Sequence, residues 1–152
     1  MRVKYIGHRN MAGIFALIVV AVVASKLNTI AARAPASVQA ELSPAAKERC
    51  ERVLFGYQGR LSYLAASLEP ADRSISVLNG SADLHTKYQA YREWYAIYTQ
   101  SITDGKAMAA MVRNDRECFP FVSARELDDK IAAMVQSVND VDRIARARGI
   151  IQ

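Results

Sequence analysis

The chain is short of the residues that do chemistry. Its 152 residues include two histidines, two cysteines and one tryptophan, and no GxSxG, Walker or GxGxxG motif occurs. Those gaps exclude the common hydrolase, nucleotide-binding and dinucleotide-binding signatures. A serine or cysteine nucleophile needs a nearby base, usually histidine. His8 lies in a basic leader and His85 one residue into an expected helix, where capping or solvation is its ordinary role. No CxxC or HExxH spacing occurs, so no metal site is expected. No cofactor is expected either.

Acid is missing from one end. No Asp or Glu precedes Glu41, while Arg2, Lys4, Arg9, Lys26 and Arg33 all fall before it. Those five account for the whole formal charge of +5. Residues 41–152 are left with balanced charge and no basic stripe or RNA-binding aromatic motif, so nucleic acid is not an expected partner.

Long apolar runs are also scarce, and the single exception decides the topology. Met11–Ser25 contains neither charge nor proline. As a helix its 15 residues cover about 22 Å. A bilayer core is about 30 Å thick, and the stems of Arg9 and Lys26 extend the run at either end. The basic leader stays in the cytoplasm and the chain after the run is translocated. Two fates are open. Small-residue cleavage patterns occur at Val22-Val23-Ala24, Ala34-Pro35-Ala36 and Val38-Gln39-Ala40. The first lies inside the run, and the others lie beyond Lys26 and Arg33, where basic residues disfavour cutting. The expected organisation is therefore a basic cytoplasmic leader (1–10), a membrane anchor or signal sequence (11–25), a linker (26–42) and an exported helical domain (43–152).

Cys50 and Cys118 are the two cysteines, and on the exported side an even count reads as one disulfide. It would close a loop of about 70 residues, worth ~4 kcal/mol on the chain-entropy model.

The exported part reads as all-α, a three- to four-helix antiparallel bundle. The first helix starts at Ser43-Pro44, with Ser as N-cap and Pro in the first turn. Its stripe is Cys50, Leu54, Tyr57, Leu61, Leu64 and Leu68, and Glu69-Pro70 is expected to end it. Residues 69–83 read as a loop with a turn at Asn79-Gly80. Ser81 or Asp83 caps a second helix with the stripe Leu84, Tyr88, Tyr91, Tyr95, Tyr98 and Ile102. Asp104-Gly105 is expected to interrupt it, which would create the fourth helix. After a loop at 114–122, Ser123 and Glu126 form a capping box, with Val122 stapling to Leu127. The last stripe is Leu127, Ile131, Met134, Val138, Val141 and Ala145, and Gly149 closes the helix.

The carboxylate pairs read as helix surface. Glu48 and Glu51 lie among Lys47, Arg49 and Arg52, and Asp128 and Asp129 favour the start of the last helix. The most distinctive feature is an arc of aromatics on the second helix, with Trp94 beside the stripe. Its two readings are core and binding surface. Trp94, with Tyr91 and Tyr98, is the candidate partner interface.

These features favour a single-span bacterial inner-membrane protein. Its periplasmic helical domain would bind other envelope proteins as a subunit or accessory factor, with membrane lipid around residues 11–25. The rival is a soluble periplasmic binding or inhibitor protein released by cleavage. An envelope-acting enzyme, such as a tethered glycosidase, would need two carboxyls flanking a cleft, and the sequence marks no such pair.

Overall fold

Ser43 and Pro44 begin the first helix as their chemistry dictates. The Ser43 hydroxyl accepts from the Ala46 N–H at 3.3 Å. The computed structural model describes residues 42–152. The leader 1–10, the run 11–25 and the linker up to residue 41 lie outside the described residues. Helix α1 spans Pro44–Asn79, α2 spans Leu84–Asn114 and α3 spans Ala124–Ala147, with a 3-10 turn at Arg116–Cys118 before α3. There is no strand among the described residues, and none of their helices is long and apolar enough to cross a membrane.

Two expected breaks do not occur. Pro70 lies inside α1, which runs on for nine residues to Asn79. Proline removes one backbone bond and crowds the preceding turn, a penalty of about 3 kcal/mol in a helix interior. Burial of Ala71, Ser74 and Leu78 beyond it offsets that penalty. Ala66, whose carbonyl loses the bond, is exposed to water. The expected loop at 69–83 thus shrinks to a short turn after Asn79, and Asp83 caps α2 by accepting from the Thr86 N–H at 2.9 Å.

The expected interruption at Gly105 is likewise absent, and α2 is continuous. Gly105 is a notch. A Cβ there would meet Ile131 Cγ1 of α3 at 3.0 Å. The bundle therefore has three helices, and the missing side chain sets how closely α3 approaches α2.

Helix α2 is central and packs on both α1 and α3. Its buried line is Ala90, Tyr91, Trp94, Ser101, Asp104, Met108, Ala109 and Val112. The expected stripe runs through the largest apolar residues and is rotated from this one. Leu84, Tyr88 and Tyr95 are exposed, while Trp94 is 1% exposed. Opposite lie Ser67, Ala71 and Ser74 of α1, also buried. Small residues on both helices allow the close approach that a tryptophan between them then fills.

The α3 stripe is as expected, with Leu127, Ile131, Val138 and Ala145 buried. Ser123 accepts from the Glu126 N–H at 3.3 Å. Gly149 (φ 68°) lets Ile150 N–H reach the Ala145 carbonyl at 2.9 Å. That is a Schellman closure, and Ile150 and Ala145 share one buried cluster.

The notch generates a test. Alanine normally stabilises a helix interior by about 1 kcal/mol over glycine. Gly105→Ala should fail to gain this and lower the melting temperature, because its methyl meets Ile131. Adding Ile131→Val should restore part of the loss, as read by circular dichroism on heating.

Candidate functional site

The two ends of the bundle differ. At the end where the chain enters, Cys50 of α1 and Cys118 of the 3-10 turn stand at disulfide distance, with Cα atoms 5.1 Å apart. Around them Tyr57, Met108, Val112, Phe119 and Leu127 form one cluster, against which Leu42 also packs. The Tyr57 hydroxyl has no hydrogen-bond partner among the described residues. Burial pushes its pKa up to about 12, so the phenol keeps its proton at physiological pH. Glu117 lies within 4.8 Å of both sulfurs, a grouping that resembles a metal site. Arg49 already holds that carboxylate, however, and cysteines at disulfide distance are placed to pair with each other.

Midway along the bundle an ion pair replaces apolar packing. Asp104 is 5% exposed on α2, and its carboxylate accepts from Arg60 of α1 and from Gln100 Nε2 at 2.9 Å. A carboxylate this buried requires such partners. Reading Asp104-Gly105 as a breaker conceals it, since charge and glycine together imitate a turn.

The far end carries the cleft. α1 and α3 both lean on α2, and between their distal halves a half-open cavity of about 90 Å³ remains. Trp94 and Tyr98 of α2 line it, with Ile75 and Leu78 of α1 and Val141 and Ile144 of α3. Ser137, Asp140, Asn79 and Arg148 supply its polar edge. The Arg148 guanidinium donates to the Leu78 carbonyl at 3.4 Å, linking the end of α3 to that of α1.

All three residues of the sequence-derived aromatic set converge at this end. Trp94 is core, and its rings lie 4.5 Å from Tyr98 and 6.5 Å from Tyr91, centroid to centroid. The indole N–H makes no hydrogen bond of normal geometry among the described residues. Its electrostatic influence falls on the Tyr98 hydroxyl. Burial, and secondarily Asp72, raise the Tyr98 pKa, and Trp94 opposes them weakly. The Tyr91 hydroxyl donates to Asp142 of α3. Burial is the larger cause of its raised pKa, and that hydrogen bond the next. Tyr91 thus clamps α2 to α3, Trp94 fills the joint, and Tyr98 is the member that is only partly buried.

The cleft's chemistry is narrow. It is smaller than the ~150 Å³ dry cavity that admits benzene. Apolar walls with a few polar groups at the rim suit one inserted side chain. Among the described residues Asp140 is the one acid that lines it, so no carboxylate pair flanks it there in a glycosidase arrangement. No protein-family model, curated protein or solved structure matches this chain.

Removing the joint should be costly. Trp94→Ala is expected to lose about 3–5 kcal/mol, the range for truncating a large core aromatic. Tyr95→Ala, a neighbour on the exposed side, should change stability by less than about 1 kcal/mol. Urea unfolding followed by circular dichroism measures both.

Proposed function

We propose that this chain is a single-span inner-membrane protein whose periplasmic helical domain docks other envelope proteins as a subunit or accessory factor. Three sequence features support export. Met11–Ser25 is the one long apolar run, the charge excess precedes the domain, and no acid appears before Glu41. The cysteines add a fourth, because a pair at disulfide distance suits an oxidising compartment.

The observation that carries the binding role is the Trp94–Tyr98 cleft between α1 and α3. It lies at the end of the bundle opposite the chain's entry, where the domain presents itself furthest from its tether. A partner would place one apolar side chain there, between Ile75 and Leu78 on one side and Val141 and Ile144 on the other. Exposed Tyr88 and Tyr95 continue an aromatic surface along the outside of α2. Trp94 contributes as the cleft wall and Tyr98 as its accessible ring. Retention of the N-terminal segment gives a tethered subunit, and its removal would give a soluble periplasmic form with the same cleft.

A photo-reactive side chain at Ile144, introduced in the intact cell envelope, tests the reading. A discrete heavier adduct is expected from Ile144, lost when Val141→Asp places a charge in the cleft. The same probe at Gln136, exposed on α3, should give none. Failure to form an adduct from Ile144 or from Tyr98 would contradict the docking role.

A further inference from the structure

The turn between α2 and α3 forms a second cavity that the docking role does not use. It measures about 650 Å³ and is lined by Arg113, Arg116 and Arg125, with Phe119, Pro120 and Phe121 among its other walls. Among the described residues no acid lines it. Two of the nearby acids, Asp115 and Glu117, face a cation outside the cavity, and a third pairs with Arg113 of its wall. Arg49 on α1 engages both Asp115 and Glu117, and Asp128 holds Arg113 at 2.7 Å. Arg116 and Arg125 are exposed and engage none of the acids that form ion pairs at this end. Beside them Phe121 is 50% exposed, a large apolar ring held out into solvent by the turn.

Position gives this surface its meaning. Leu42, where the described chain begins, packs on the cluster that holds Cys118 and Phe119. The turn therefore sits at the end where the chain arrives from Met11–Ser25. Residues 26–42 are 17 in number and reach at most ~60 Å when extended. A flexible coil of that length would span roughly 25 Å. At that coil span a bilayer that held the apolar run would lie nearer this end than the cleft end, since the 36 residues of α1 cover about 54 Å.

We infer that the α2–α3 turn is a membrane-surface contact: Phe121 enters the headgroup layer while Arg116 and Arg125 bind the phosphates of anionic lipids. The inference rests on the anchor reading of Met11–Ser25. The chemistry is that of an interfacial aromatic with basic neighbours, which are drawn to an anionic surface. Docking this end on the lipid would hold α1 upright and point the Trp94–Tyr98 cleft away from the membrane.

The test uses the full chain in lipid nanodiscs of phosphatidylglycerol or of phosphatidylcholine, each containing lipids brominated near the headgroup. Wild type, with Trp94 as its only tryptophan, is compared with Phe121→Trp. In phosphatidylglycerol the introduced indole should shift to shorter wavelength and lose emission to the bromine, while Trp94 does not. The loss should be smaller in phosphatidylcholine, and it should vanish when Arg116→Glu and Arg125→Glu are added with Trp94 emission unchanged. Equal emission with and without bromine in phosphatidylglycerol overturns the proposal, and such a result would leave an acidic protein as the better fit for this cavity. Co-elution of the chain with the discs reports separately on the anchor, so loss of co-elution counts against Met11–Ser25 while quenching alone decides the turn.

Discussion

Trp94 fills the seam where the three helices converge, and the rest of the bundle is arranged to admit it. Ser67, Ala71 and Ser74 on α1 and Ala90 and Ser101 on α2 are small enough for those helices to approach closely. Ala71, Trp94 and Val138 then form one cluster drawn from all three helices. The burial of such a ring outweighs the local penalty of Pro70, because α1 must remain helical past the proline to bring Ala71, Ser74 and Leu78 into place. The indole also stops short of filling the space between α1 and α3, and what remains is the cleft.

The same chain gives its two ends opposite characters. At the entry end, cysteines at disulfide distance, the tilted Tyr57–Phe119 ring contact with centroids 5.0 Å apart and the Arg49 ion pairs tie the 3-10 turn to α1. At the far end the ties are a tyrosine–carboxylate bond and a guanidinium on a carbonyl, and an apolar cavity stays open between them. A rigid base and an open tip suit a tethered domain that meets its partner away from the tether. The pair between partly exposed Arg60 and buried Asp104 lies between the two ends and keys α1 against α2 in one register. Breaking such a pair leaves a stranded charge, so it acts against slippage of the helices.

Much of this fold was legible in the sequence because helix caps and periodicity are local. Ser43, Asp83, Ser123 and Gly149 all act where their chemistry predicts, and the α3 stripe reads off directly as Leu127, Ile131, Val138 and Ala145. The α2 face did not. A pattern built on large apolar residues runs through Leu84, Tyr88 and Tyr95, whereas the buried line runs through Ala90, Ser101 and Asp104. Those residues are chosen for helix spacing and for an ion pair with a distant arginine, and neither depends on sequence neighbours. Pro70 and Gly105 mislead for the same reason: breaker rules describe a helix alone, and both positions are decided by what packs against them. Of the site, the aromatic set was visible but its division was not, since only the fold separates Trp94 in the core from Tyr98 at the cleft.

Each functional proposal depends on the helical domain standing across a membrane from its basic leader. A reporter that gains activity only after export, fused after Gln152, measures this in one step. The expected result is an active fusion, with a reporter that works only in the cytoplasm inactive at the same position. The reverse pattern, an inactive export reporter and an active cytoplasmic one, would contradict the placement of the bundle, its cleft and its basic turn on the far side of the membrane.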